Sequence, residues 1–229
     1  MAGNLIENGR ETARKNMLLG QLIPNRIHDS AMLKAMGSVD RELFLPDHLK
    51  SRAYADESIY IDAHTVMFSP RILANLLLLA NLQDSDFVLD VKSATGYSAA
   101  VMANMAQAVV ALENDAGMCE TAQQILIDSE IDNVAVLNRN PDQGFASQAP
   151  FDVIFIEGVI SQIPETLLAQ MAENGRLVCV VAKNAETTGK ATKVIKNNGS
   201  LSYIAAFDLD LSGFIRRPLY KNFVFETVS

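Results

Sequence analysis

The sequence predicts an α/β fold with a mostly parallel central sheet, helices on both faces, antiparallel strands at the C-terminal end and a helical cap at the N-terminal end. Three observations predict it. First, the apolar runs FVLDV, AVVALE, NVAVLN, FDVIFIEG and RLVCVVA alternate with stretches of helical pattern. Continuous apolar runs are what strands need when both faces of a sheet are covered, and helices between them make the pairing parallel. Second, beyond residue 184 the segments ATKVIKN, SLSYIAAFDL and KNFVFETV read as strands with little helix between them, so the sheet ends antiparallel. Third, residues 1–57 are mostly helical in pattern. The expectation is one domain over 1–229, with a cap at 1–57, a core at 58–183 and closing strands at 184–229.

Within the cap, RKNMLLGQLIPN has apolar positions at helical spacing and stops at Pro24. DSAMLKAMGSV opens on Asp29 and Ser30, which suit a helix start, and reaches Gly37. FLPDHL reads as a break with a short turn, and the Met residues read as core packing. Ser69-Pro70 opens a strong helix, RILANLLLLANL, because serine caps well and proline suits the first helical position. In the core, GYSAAVMANMA and GMCETAQQILIDSE read as helices. IPETLLAQMAENG reads as another, with Pro164 near its start and Gly175 just past its end. Ala149-Pro150 marks a turn before FDVIFIEG.

Composition narrows the function. The 229 residues are 49% hydrophobic and 20% charged, which suits one folded domain with a sizeable core. A net charge of -8 and the lack of a basic run argue against nucleic acid or an anionic membrane as partner. Cys119 and Cys179 are far apart in apolar contexts and read as reduced core thiols. Three scattered histidines without Cys/His pairing predict no metal site. The N-terminus is too polar for a secretory signal, and ILANLLLLANL is too short and too broken by Asn to span a bilayer. A soluble cytoplasmic protein is expected.

Chemistry concentrates in VLDVKSATGYSAA, residues 88–100. A buried strand reaches Asp90 and passes through a turn into a helix. In open α/β sheets the ligand sits at the carboxyl ends of the strands, where the first strand meets its helix. Lys92, Ala94 and Gly96 stand where three glycines are usual in such a turn. Glu113, which ends AVVALE, stands where a second acid holds ribose hydroxyls. Taken alone, Glu113 reads as a solvated strand-end acid; the ordered strand, turn and helix around it favour ribose binding.

Four segments carry a resemblance to a known family: DRELFLPDHLKSRAYADESIYI, VLDVKSATGYSAAV, APFDVIFIEGVISQIPETLLAQMAENGRLV and the tail LSGFIRRPLYKNFVF. They resemble the protein-L-isoaspartate O-methyltransferases, from about residue 14 to the C-terminus. The resemblance implies a Rossmann-like S-adenosylmethionine (SAM) methyltransferase fold. It also implies methyl transfer from SAM to the free α-carboxylate of isoaspartyl residues in damaged proteins, a repair reaction. Asp90, Gly96 and Glu113 would hold the cofactor, with Lys92, Ala94 and Asn140 as altered contacts. His64, Thr65 and Ser69 would form the remaining substrate loop.

The sequence departs from the family pattern in three places. Lys92 and Ala94 replace glycines; Lys92 either obstructs the cofactor, pairs with its methionine carboxylate or points to water. The family's substrate serine falls on Phe68, and neighbouring Ser69 has a competing role as helix cap. Arg139, Asn140 and Pro141 replace an acid between glycines, and Glu157 and Gly158 stand where small residues are usual. A carboxylate at 157 repels a substrate carboxylate unless a cation lies between them. Three readings follow: an isoaspartyl methyltransferase acting on a protein or peptide carboxylate, a catalytically silent fold kept to bind a protein partner, and a SAM enzyme with a different acceptor.

Overall fold

The computed structural model describes residues 2–183 and 187–212. Helix α1 (Ala2–Met17) runs on through a π-helical turn and a 3-10 turn that ends at Asn25. Helix α2 (Ser30–Ser38) begins after Asp29, whose Oδ1 accepts the Met32 N–H at 2.8 Å. Two 3-10 turns, Arg41–Phe44 and Asp47–Arg52, fill the expected break. A short antiparallel hairpin follows, β1 (Ile59–Tyr60) and β2 (Val66–Met67). Helix α3 (Pro70–Ala80) starts at Ser69, whose Oγ accepts the Ile72 N–H at 3.3 Å.

The alternating section then runs β3 (Phe87–Val91), α4 (Tyr97–Ala103), β4 (Ala108–Glu113), α5 (Ala116–Asp128), β5 (Val134–Asn138) and β6 (Phe151–Ile160). It closes with α6 (Glu165–Leu168), β7 (Met171–Val181), β8 (Thr188–Asn197) and β9 (Ser200–Asp210). The large sheet has the order β5-β4-β3-β6-β7-β8-β9. Pairings are parallel up to β7, and β8 and β9 are antiparallel. The chain leaves β3 to one side for β4 and returns to its other side with β6. That reversal opens a crevice at the carboxyl end of β3, where such sheets bind ligands.

Strand alternation splits the core in two. Val88, Val109, Val153, Phe155 and Val178 face α2 to α5 and the N-terminal turns. Leu89, Leu112, Ile154, Ile156 and Leu177 face the other way, toward Leu167 of α6 and Phe145. Both cysteines are buried free thiols, one in each cluster. Among the described residues no helix is long and apolar enough to cross a membrane.

One helix expected from the sequence is mostly absent. IPETLLAQMAENG makes a single turn, Glu165–Leu168, and Met171 already pairs with Phe151 as the start of β7. Sheet pairing overrides local helix propensity here. Gln170 fixes the change, accepting the Phe145 N–H at 2.7 Å and donating to the Gln143 carbonyl at 2.8 Å. Gly175 therefore lies inside β7 and does not stop a helix; the AEN residues before it bulge out of register, with Asn174 at φ 63°. The expected strand KNFVFETV lies outside the described residues.

Candidate cofactor and acceptor site

The turn after β3 keeps the backbone of a glycine turn without most of its glycines. Lys92, Ala94 and Gly96 have φ of 64°, 50° and 90°. Each non-glycine residue in this left-handed region costs roughly 1–2 kcal/mol against its right-handed form. Hydrogen bonds hold the turn against that cost. The N–H groups of Lys92 and Ser93 both donate to the Leu112 carbonyl, at 2.9 and 3.1 Å. The Ala94 N–H donates to Glu113 Oε2 at 3.0 Å. Of the three positions, Gly96 is one where a side chain would be both strained and crowded. Its φ is strained for any other residue, and a Cβ there would stand 3.2 Å from Ala122 Cβ of α5.

The DRELF segment clamps this turn from above. Thr95 Oγ1 donates to the Phe44 carbonyl at 2.6 Å. The buried Arg41 guanidinium donates to the carbonyls of Ala53 and Phe68 and lies 4.6 Å from the Tyr97 ring centroid. Tyr97 packs edge-on against Phe44 at 5.6 Å. One buried cation thus ties the N-terminal turns, the loop before α3 and the start of α4 together.

Beside the turn lies a cavity of about 330 Å³ at the carboxyl ends of β3, β4 and β6. That volume is within the range of ligand pockets. Of the nine residues predicted from sequence, five line it: His64, Thr65, Lys92, Glu113 and Asn140. Ala94 lines a small adjoining hollow with Phe68, Ser93 and Glu157. Asp90 is buried in the floor and Gly96 caps α4. Ser69 lines neither space; it is 2% exposed and its oxygen is taken by the α3 cap. A larger groove, about 1290 Å³, runs along β8 and β9 past Lys190, Thr192, Leu201 and Tyr203. It shares no lining residue with the β3 turn, so convergence of polar groups, and not size, selects the smaller cavity.

Individual groups are well oriented. The Glu113 carboxylate accepts three N–H groups: Ala94 on Oε2, then Asn114 at 2.8 Å and Asp115 at 3.1 Å on Oε1. A carboxylate has about four acceptor positions, so about one remains for a ligand hydroxyl. Asn140 turns its Oδ1 to the Asp142 N–H at 3.0 Å and keeps its amide N–H₂ as a donor group. The hairpin loop is organised by Asp62, which accepts from the N–H groups of His64 and Thr65 and from Thr65 Oγ1. Burial lowers Lys92 to about 8, against the pull of Asp142 and Glu113. Burial also raises Asp142, with Lys92 opposing it.

Sequence reasoning missed Asp62, Met118 and Asp142 as cavity residues. Asp142 had a signal, since it follows Asn140 by two residues. Arg41 lies in the DRELF segment, where nothing local in sequence marks which carbonyls a buried arginine will reach.

Glu157 is set apart by the backbone. From Phe155 to Val159, β6 takes four steps while β7 takes two, from Val178 to Val180. This bulge carries Gly158 at φ 81° and puts Glu157 in the wall of both the cavity and the adjoining hollow. Bulges beside active sites re-aim side chains in this way. Below it, Asp90 Oδ2 accepts from Ser98 Oγ at 2.7 Å, while Asp90 Oδ1 is buried without a hydrogen-bond partner. Burial, then the charge of Glu157, push Asp90 well above the usual carboxylate range. Burial likewise pushes Glu157 up to about 7, against a Ser98 hydrogen bond and the Arg41 charge. Ser93 Oγ and Tyr97 Oη are also buried without partners at this turn.

The sheet order, the strand-end turn and the strand-end acid define a Rossmann-like methyltransferase fold, and comparisons agree. Residues 13–208 match the family described as Protein-L-isoaspartate(D-aspartate) O-methyltransferase (PCMT). A Methylorubrum populi protein-L-isoaspartate O-methyltransferase is 38% identical over 173 residues, 75% of this chain and 80% of that one. A solved protein-L-isoaspartate O-methyltransferase superposes with a TM-score of 0.73 at 23% identity, over 87% of this chain and 64% of that one. Another, from Plasmodium falciparum in complex with S-adenosyl-L-homocysteine, gives 0.72 at 23% identity, over 87% of this chain and 95% of that one. The chain belongs to the protein-L-isoaspartate(D-aspartate) O-methyltransferase family.

Proposed function

We propose that this chain is a SAM-dependent methyltransferase whose acceptor is the free α-carboxylate of an isoaspartyl residue in a protein or peptide. The observation that carries the proposal is the retained turn. Positive φ at residues 92, 94 and 96 places Lys92 beside Glu113 and Asn140 around one cavity that the 62–66 loop closes. The residues present fit the cofactor. Glu113 has about one acceptor position left for a ribose hydroxyl. Asn140 offers a polar edge to the adenine. Lys92, with a pKa of about 8, carries its charge at neutral pH and faces the cavity as a partner for a carboxylate. The unpartnered Asp90 Oδ1, Ser93 Oγ and Tyr97 Oη are orphaned polar atoms at the same turn.

SAM supplies an electrophilic methyl group on a sulfonium. A carboxylate oxygen accepts that group with no proton to remove, so the protein's task is alignment and replacement of water. The loop of Asp62, His64 and Thr65 forms the acceptor side. The Thr65 hydroxyl proton is already given to Asp62, and Phe68 stands where the family has a hydroxyl. The acceptor side is therefore poorer in donors than the family pattern.

The test is transfer of labelled methyl from SAM to a peptide containing isoaspartate, beside the same peptide with ordinary aspartate. The expected result is base-labile label on the isoaspartyl peptide alone. Label on neither peptide, with folded protein and bound cofactor, would move the function to another acceptor. No cofactor binding at all would leave the reading of a silent fold that binds a protein partner.

A further inference from the structure

We propose that Glu157, in its protonated form, is the donor that binds the acceptor carboxylate, taking over the place of the hydroxyl lost at Phe68. The inference rests on the carboxylate-acceptor reading above and deepens it.

Geometry carries the argument. The β6 bulge with Gly158 at φ 81° sets Glu157 in the wall shared by the main cavity and the hollow beneath Phe68. Phe68 is 1% exposed and offers no donor. Ser69 is committed to its helix, and Thr65 to Asp62. Of the polar side chains in the wall of the hollow (Ser93, Thr95, Tyr97, Ser98 and Glu157), Glu157 is the one that also lines the main cavity. Its surroundings decide its charge. Beneath it lie Asp90, Ser98 with its single hydroxyl, the Tyr97 phenol and the Arg41 guanidinium. Across the cavity stand the Lys92 amine and the His64 imidazole, against the acids Asp62, Glu113, Asp115 and Asp142. A buried carboxyl group, Asp90, and a partly buried one, Glu157, side by side and facing a cavity with an excess of acids, do not both ionise readily. The rise of Glu157 to about 7 agrees with that arrangement.

A neutral carboxylic acid donates one short hydrogen bond to a substrate carboxylate, leaving the second oxygen to attack; the ionised form repels the same substrate. Catalysis consumes no proton from Glu157. Ionisation therefore removes the binding-competent form, and apparent affinity scales with the fraction protonated.

The experiment is calorimetric binding of an isoaspartyl peptide to protein saturated with S-adenosylhomocysteine, between pH 6 and pH 8. Wild type and Glu157→Gln are compared, with an isoasparaginyl peptide as neutral control. Wild-type affinity for the carboxylate peptide is expected to fall about tenfold from pH 6 to pH 8. Glu157→Gln, a permanent donor of the same shape, is expected to bind with no such fall, and the control peptide to be indifferent to pH. A flat or rising wild-type profile overturns the inference. The same fall in Glu157→Gln also overturns it, by placing the titration elsewhere. If S-adenosylhomocysteine binds but the peptide does not at any pH, the inference fails and the cofactor reading stands. If neither binds, both fail.

Discussion

Lys92 shows how a residue can break a motif and keep its geometry. Its φ of 64° is the angle a glycine would supply without cost. The turn is held by two N–H groups on the Leu112 carbonyl and by Ala94 on Glu113. Replacing Lys92 with glycine relieves the left-handed strain of about 1–2 kcal/mol but frees the unfolded chain, which returns about 0.5–1 kcal/mol. Lys92→Gly is therefore expected to stabilise the fold by about 0.5–1 kcal/mol, read from urea unfolding midpoints. A clear loss of stability would show that the Lys92 side chain, and not the turn, is what holds this segment. The sequence could place Lys92 in the turn because the flanking VLDV and GYSAA patterns are unambiguous. It could not show whether the backbone would follow the glycines or abandon them, since that depended on Leu112, Glu113 and Phe44, all distant in sequence.

At the level of elements, the parallel core was legible and the segment from β6 to the first residues of β7 was not. FVLDV, AVVALE and RLVCVVA are apolar but for Asp90, Glu113 and Arg176, and became buried strands. Ser69-Pro70 and Asp29 announced their helices and cap them. IPETLLAQMAENG had helical composition, yet all but one turn was lost to pairing of Met171 with Phe151, a tertiary effect with no local signature. The bulge that aims Glu157 was equally hidden, because its signal, Gly158 inside an apolar strand, has several meanings. Arg176 illustrates what fixes β7 in place. Its guanidinium pairs with Asp86 through both terminal nitrogens and donates to the carbonyls of Ala80 and Asn81 at the end of α3. Asp86 is 5% exposed, so losing its partner strands a buried charge. Arg176→Ala is expected to cost about 3–5 kcal/mol in denaturant unfolding. A cost under about 1 kcal/mol would mean that the pair is no stronger than a surface contact.

Over the whole molecule, sheet order does most to locate function. The reversal between β4 and β6 around β3 makes one crevice, and five of the nine residues expected at the site line the cavity there. The N-terminal turns pack on that crevice through Arg41, which donates to the Ala53 carbonyl, and through the Phe44 carbonyl, which accepts from Thr95. The proposed function requires this turn, with lysine and alanine in place of glycines, to form a cofactor site. Calorimetric titration of the folded protein with S-adenosylhomocysteine tests it most directly. Saturable one-to-one binding in the micromolar range, weakened by Glu113→Ala, is expected. Absence of heat and of thermal stabilisation at millimolar ligand, with the fold verified, would contradict it.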